Sequence, residues 1–304
     1  MKHIADIRKL IQLKGHNGAI YCLTDIPEHN FFLSSGGDGW IVQWAKDGAS
    51  PDGILLAQVD GKIFSMCYVQ DMELLLAGDF DGDLYWIHMP EKKVIKRVRQ
   101  HQGSIFAIES FNDYVYSIGA DGFIVQWSKD AMLPVASVKI SKKALRSIVI
   151  DTENETAYIG SSDSNIYIVN LNTLNVENTL QDIHASTVFS LTMCEGKNLF
   201  SGGRDAQLKK IDITDFNTLQ QISAHWFTIN RILYLSHSDI LITASRDKTF
   251  RVWDASDLSL LKSVDMHKGG HINSVNALLY FENHKILATG SDDRSVILWK
   301  TEFI

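Results

Sequence analysis

Apolar and polar residues alternate in short segments along the chain, and polar turns separate these segments. In the segment 249–253, the apolar residues Phe250 and Val252 alternate with polar neighbours. This two-residue period is typical of a β-strand with one buried face. A similar segment precedes it, and the polar residues 246–248 between the two predict a tight turn. The pattern therefore predicts a β-hairpin at this point of the chain.

The same hairpin pattern recurs seven times. Its turn always contains an aspartate, and these aspartates lie 40–46 residues apart, at Asp38, Asp81, Asp121, Asp163, Asp205, Asp247 and Asp293. A period in the low forties that is built of short strands is typical of the blades of a β-propeller. The seven repeats nearly fill the 304 residues, so we expect one domain over residues 1–304.

The two ends of the repeat array predict how the ring closes. A strand-like segment, residues 9–14, precedes the first repeat but has no blade before it. The last repeat ends at Trp299 with only five residues to follow, which leaves its blade one strand short. We expect the N-terminal strand to fill that place, because an open ring would expose unpaired strand edges.

Four polar or aromatic positions recur in each repeat: His before the first strand, Ser or Thr before the turn, the turn Asp, and Trp six residues after it. Four repeats carry all of them: His16, Ser34, Asp38, Trp44; His101, Ser117, Asp121, Trp127; His225, Thr243, Asp247, Trp253; His271, Thr289, Asp293, Trp299. Repeats two and four lose His, Ser and Trp together, and repeat five loses only Trp. Joint loss indicates a buried hydrogen-bond network, because each group left unsatisfied costs about 1–3 kcal/mol.

These positions resemble the WD-repeat family, whose namesake dipeptide is present as Trp253-Asp254. The resemblance covers residues 9–300. It implies an all-β fold, a seven-bladed β-propeller of four-stranded antiparallel blades, and a hydrogen-bonded tetrad of the four residues in each complete blade. Blades two, four and five depart from the tetrad, so we expect them to rely on apolar packing.

Composition narrows the classes of partner. The net charge of −7 and the absence of a basic stripe argue against nucleic acid. No apolar run approaches the roughly 18–20 residues of a membrane span, and residues 1–11 lack the apolar core of a signal peptide. Cys22, Cys67 and Cys194 are odd in number and lack metal-site spacing, so we interpret them as reduced thiols of a cytoplasmic protein.

None of the candidate catalytic and metal-binding motifs in the sequence is complete. The recurring Ser, His and Asp differ from a catalytic triad, which occurs once and exposes its nucleophile. Residues 79–83 resemble the start of a calcium loop, but Leu84 stands where that loop needs Gly. His267 and His271 flank two glycines and so lie on a loop, where their spacing has no ligand geometry. We therefore expect no enzyme activity, no metal and no cofactor.

The resemblance also implies a partner site on the face that carries the Gly-His loops and the Asp turns, which we call the top face. The resemblance implies that this site includes the residues five positions after the His position: Tyr21, Phe64, Phe106, Arg146, Phe189, Asn230 and Asn276. Just before the turn Asp stand Phe80, Arg204 and Arg246. We predict an aromatic sector over blades one to three and an arginine sector over blades four to six. Such a surface suits a protein or peptide with an apolar anchor and an acidic or phosphorylated group.

Three functions remain open. The first is a non-catalytic scaffold or adaptor that binds a partner on the top face. The second is an enzyme or small-ligand binder that uses the central channel, and the third is a fixed subunit of a larger complex. At the predicted site itself, the rings could instead pack against neighbouring blades, with the arginines paired to local acids. The long connection 265–270 before His271 should protrude beside the same face, where loop variation commonly carries function.

Overall fold

The part of the chain that the structure describes folds into seven four-stranded antiparallel sheets. The computed structural model describes residues 4–194 and 197–303. Both ends of the predicted domain 1–304 therefore lie outside the described residues. The predicted all-β, seven-bladed propeller is confirmed.

The strands are numbered in chain order and grouped by blade. Strand β1 is Ile4–Lys14. Blade one comprises β2 (Ile20–Asp25), β3 (Phe31–Gly36), β4 (Trp40–Ala45) and β5 (Ile54–Gln58). Blade two comprises β6 (Ile63–Val69), β7 (Leu74–Asp79), β8 (Asp83–His88) and β9 (Lys93–Arg99). Blade three comprises β10 (Ile105–Phe111), β11 (Tyr114–Gly119), β12 (Phe123–Ser128) and β13 (Leu133–Lys139). Blade four comprises β14 (Leu145–Asp151), β15 (Thr156–Ser161), β16 (Ile166–Asn170) and β17 (Val176–Leu180); blade five β18 (Val188–Cys194), β19 (Asn198–Gly203), β20 (Gln207–Asp212) and β21 (Thr218–Ser223); blade six β22 (Ile229–Leu235), β23 (Ile240–Ser245), β24 (Phe250–Asp254) and β25 (Leu260–Val264); blade seven β26 (Val275–Phe281), β27 (Ile286–Ser291), β28 (Ser295–Phe303) and β1. Short 3-10 turns occupy Gln70–Met72, Met266–Lys268 and Glu282–His284.

The first strand of each blade lies innermost. Each of these strands contacts the first strand of the next blade, and β26 of blade seven contacts β2 of blade one, so they form a continuous ring. Apolar clusters fill the spaces between adjacent blades. One of them joins Phe32 and Trp44 of blade one to Phe281 and Leu298 of blade seven. The core is therefore distributed around the ring, and the innermost strands surround a central channel.

Strand β1 closes the ring as predicted. It pairs antiparallel with β28, with Lys14 opposite Ser295 and Ile7 opposite Thr301. Leu13 is fully buried in the space between blades seven and one, and the amide Nε2 of Gln12 donates a hydrogen bond of 2.9 Å to Ser295 Oγ. The closure thus rests on backbone pairing, a buried side chain and a polar contact.

The residue after the turn aspartate adopts a left-handed conformation in every blade. In blades one to three it is glycine, and at Gly39 a Cβ would lie 2.4 Å from the carbonyl oxygen of Val59. In the other four blades the same conformation is held by Ser164, Ala206, Lys248 and Arg294, with φ values of 63–77°. Because side chains disfavour this region of φ, these four turns carry local strain.

Candidate functional site

Hydrogen-bonded tetrads attach the loops of the top face to their blades. In blade one, His16 Nδ1 lies 2.9 Å from Asp38 Oδ2, and His16 Nε2 lies 2.7 Å from Ser34 Oγ. Trp44 Nε1 donates to the same Ser34 oxygen at 2.7 Å. A carboxylate only accepts, so Nδ1 donates to Asp38 and Nε2 accepts from the hydroxyl. Asp38 also accepts the backbone N–H of Asn17, which fixes the loop.

The corresponding residues make the same contacts in blades three, six and seven. Burial acts to raise the pKa of Asp38 and Asp293, but the hydrogen bonds from their histidine partners outweigh it and lower each pKa to about 2. The aspartate of each complete tetrad is therefore an ionised hydrogen-bond acceptor that lies under a top-face loop.

Blades two, four and five also contain polar networks, so the expectation that they rely on apolar packing is wrong. In blade five His184, Ser201 and Asp205 keep their hydrogen bonds although Ile211 replaces Trp. Tyr167 in blade four donates from its hydroxyl to the turn Asp163 at 2.7 Å.

In blade two the turn residue Asp81 is exposed, and Asp79 takes the buried place. Asp79 accepts the backbone N–H groups of Asp81 and Asp83 and the hydroxyl of Tyr85. Tyr85 and Tyr167 both stand four residues after the turn aspartate of their repeat. A buried carboxylate needs donors, and the tyrosine hydroxyl supplies one where His is missing.

Seven side chains, one from each innermost strand, surround a central cavity of about 390 Å³; we call them the collar: Tyr21, Phe64, Phe106, Arg146, Phe189, Asn230 and Asn276. The Tyr21 and Phe64 rings stack with their centroids 4.8 Å apart, and Phe64 meets Phe106 edge-on at 5.6 Å. Asn276 donates to Asp292 Oδ1, next to the turn of blade seven, at 2.7 Å. The collar therefore lies at the top-face mouth of the channel.

Arg146 is part of the collar and is not a cation projecting from it. Its guanidinium carbon lies 3.7 Å from the centroid of the Phe106 ring and 4.6 Å from that of Phe189. Burial lowers the pKa of Arg146 to about 10, and its Nε has no hydrogen-bond partner in the described chain. Cation–π contacts between blades thus replace the ion pair that such a side chain would otherwise need.

The three predicted residues beside the turns lie in different surroundings. Phe80 is 52% exposed, and its ring centroid lies 6.2 Å from that of Phe64, so it extends the collar outward. Arg204 and Arg246 are exposed and form no ion pair with any described residue. Arg246 lines a separate hollow on blade six. Arg146 and Arg246 therefore line separate cavities.

Two exposed aromatic residues were not predicted as site residues from the sequence. Trp226 is 83% exposed and Phe227 is 59% exposed, both directly after His225. The sequence did contain a signal for this site, because the other complete repeats place polar, small or aliphatic residues at these two positions, where this repeat has two aromatic ones.

Deeper in the channel, burial raises the pKa of Glu109 to about 7, and the charge of Arg231 acts against that rise.

No helix within residues 4–194 and 197–303 is long and apolar enough to cross a bilayer.

The family model described as WD domain, G-beta repeat matches residues 7–45, 216–254 and 259–300. The chain is 32% identical over 114 residues to the nuclear distribution protein PAC1 of Candida tropicalis. The aligned segment covers 36% of this chain and 23% of that protein. It is 34% identical over 119 residues to the nuclear distribution protein nudF of Aspergillus niger, covering 38% and 26%. The match thus spans about a quarter of these curated relatives.

A solved structure supports the fold independently of sequence identity. The crystal structure of the WD40 β-propeller domain of Doa1 matches with a TM-score of 0.87 at 20% identity, covering 98% of this chain and 97% of that one. The resemblance found in the sequence is confirmed. Three segments thus match the WD-repeat model, and the seven blades form a β-propeller like that of the Doa1 domain.

Proposed function

We propose that this chain is a cytoplasmic, non-catalytic scaffold or adaptor that binds a protein or peptide partner on its top face. The observation that carries the proposal is the collar. It presents half-buried aromatic rings and a stacked guanidinium around an open mouth, and Phe80 extends them onto the surface. Aromatic and arginine side chains are the types enriched at binding hot spots. WD40 propellers generally bind protein partners, which agrees with this use of the surface.

The partner's chemistry follows from the residues around the mouth. Phe80 and Phe64 suit an apolar anchor, because their rings lie together and one of them is half exposed. Arg204 is exposed without an ion pair among the described residues and suits an acidic or phosphorylated group. The chain's negative charge disfavours nucleic acid and a membrane surface of anionic lipid as partners.

The test is affinity capture with matched variants. Phe80→Ala and Arg204→Glu should each lose a partner that wild type retains, while the melting temperature stays unchanged. Leu55→Ala is the control, because Leu55 is equally exposed, at 51%, but lies on the outer strand β5. Captured proteins are identified by mass spectrometry and retested in purified form. If purified partners bind the Phe80 and Arg204 variants as tightly as wild type, the top-face site is wrong.

The channel favours a second candidate, the binding of a small ligand. Its volume of about 390 Å³ falls within the range of ligand pockets, roughly 300–1,000 Å³. Glu109 and Arg231 both line it and offer groups of opposite charge. A thermal-shift screen of small zwitterions against wild type and Arg231→Ala tests this function. Stabilisation that depends on Arg231 supports it, and no stabilisation of wild type removes it.

A further inference from the structure

The loop after His225 holds two aromatic side chains rigidly away from the protein. Trp226 has the largest exposed fraction of any large apolar side chain in the described chain. Its backbone N–H donates to Asp247 Oδ2 at 3.1 Å, and the carbonyl of Phe227 accepts from Ser245 Oγ at 3.2 Å. These two hydrogen bonds therefore fix the loop's backbone while both rings face solvent. Exposed apolar side chains held in place in this way are typical of an interaction site.

A hollow of about 400 Å³ lies beside these rings; we call it the blade-six hollow. Its lining includes Trp226, Phe227, Arg246, Lys248, Arg251 and Asp265. It shares no residue with the lining of the central channel. The hollow is therefore a surface separate from the collar, formed by the loop before β22, the turn between β23 and β24, and the residues after β25.

The charges of the hollow do not cancel. Asp247 is engaged by His225 at 2.9 Å, and Asp265 accepts the backbone N–H groups of His267 and Lys268 in the following short turn. Arg251 donates to the carbonyl of Ala224 at 2.7 Å and lies 3.8 Å from Asp247.

Two cations remain. Neither Arg246 nor Lys248 has a side-chain hydrogen bond or ion pair with a described residue. This excess of positive charge lies on a chain whose net charge is −7. An anionic partner is therefore attracted to this point more than to the surface around it.

We infer that the blade-six hollow docks an acidic segment of a partner protein that carries one bulky apolar side chain. The apolar side chain stacks on Trp226 and Phe227, and Asp or Glu carboxylates meet Arg246 and Lys248. Carboxylates fit better than a phosphate dianion, because the third cation, Arg251, is already shared between a carbonyl and Asp247. The inference rests on the proposed function and names a second anchor point for the same partner class.

The experiment is peptide display against the immobilised full chain. We expect the enriched peptides to combine an Asp or Glu cluster with a neighbouring Leu, Phe or Trp. A selected peptide, synthesised with a fluorophore, should bind Trp226→Ala or Arg246→Glu at least about tenfold more weakly than wild type. Leu219→Ala is the control and should bind normally, because Leu219 is exposed on the outer strand β21 of the neighbouring blade.

Tryptophan fluorescence reports occupancy directly. The other tryptophans are buried or half-buried, so acrylamide quenching of wild type reports chiefly on Trp226. Binding of the selected peptide should shift the emission to the blue and reduce quenching. In Trp226→Phe both changes should disappear while binding of the labelled peptide remains.

Each other outcome has a definite meaning. Peptides lost with Phe80→Ala but not with Trp226→Ala support the proposed function and overturn the hollow. Binding that requires a phosphorylated peptide overturns the carboxylate assignment. A concentration-dependent dimer that Trp226→Ala abolishes, seen by sedimentation, would mean that the hollow holds a second copy of the chain. No enrichment of any peptide overturns the inference and, if affinity capture also fails, the proposed function with it.

Discussion

Blades two and three each hold an aspartate at the turn between their second and third strands, but the two carboxylates have different partners. In blade three Asp121 accepts from His101, and in blade two Asp79 accepts from Tyr85. Burial acts to raise the pKa of both carboxyls. In blade three the hydrogen bond from His101 outweighs burial, and the pKa falls below its ordinary value. In blade two burial wins and the pKa of Asp79 rises. The two carboxyls therefore respond to pH in opposite directions, because Asp79 has no histidine partner and lies beside the charge of Asp83.

The largest effect should come from removing the donor in each blade. His101→Ala leaves a mostly buried Asp121 without its charge-assisted donor and the hydroxyl hydrogen of Ser117 without its acceptor, so we expect a loss of about 3 kcal/mol. Tyr85→Phe leaves two backbone donors on Asp79, and we expect about 1 kcal/mol. Urea unfolding followed by fluorescence measures both. Equal losses would show that the two networks are energetically the same.

An intermediate effect should appear in the pH dependence of stability. The pKa values of Asp38 and Asp293, about 2 in the fold, lie below the ordinary 3.8. Each carboxyl therefore adds stability that is complete above pH 3.8 and is lost as pH falls toward 2, on the order of 2 kcal/mol. Asp79 has the opposite sign, because its raised pKa adds stability in acid that is lost as pH rises through the folded pKa.

Asparagine variants separate these two signs. Asp38→Asn should flatten the loss of stability between pH 5 and 3, whereas Asp79→Asn should steepen it. At pH 7 Asp79→Asn should change stability by less than about 1 kcal/mol, since an amide oxygen can still accept both backbone N–H groups. Unfolding curves at several pH values provide the measurement. The same slope in both variants would refute the assignment of opposite shifts.

The smallest effect should come from the turns, which are alike in both kinds of blade. Ser164→Gly in blade four and Arg294→Gly in blade seven should each stabilise the fold by up to about 1 kcal/mol, because both residues hold a positive φ. Gly122→Ala is the reverse test and should destabilise, since a Cβ there would lie 2.1 Å from the carbonyl oxygen of Ser141. Thermal melts compare the three variants. A gain in only one of the glycine variants would indicate that the network beneath the turn sets its strain.

The fold could be predicted because each repeat specifies its own hairpin, and four of the seven also carry a complete tetrad. The missing strand of the last repeat likewise identified β1 as the closing strand. Contacts between blades were harder, because sequence spacing does not show which side chains meet across a blade boundary. Arg146 was predicted as part of an arginine sector, and the sequence did not show that it lies between Phe106 and Phe189 of neighbouring blades. Tyr85 and Tyr167 were overlooked because the sequence does not show that a tyrosine hydroxyl can replace the missing histidine as the donor to the aspartate.

The pairing of β1 with β28 has a consequence for synthesis. Gln12 and Ser295, which meet across this pair, are 283 residues apart. At about 5–20 residues per second, the first strand leaves the ribosome roughly 15–60 s before its partner exists. During that time six blades can form, but β1 still lacks the strand beside which it will lie. A chain whose translation stalls therefore displays an unpaired strand edge, which is a template for pairing with another chain.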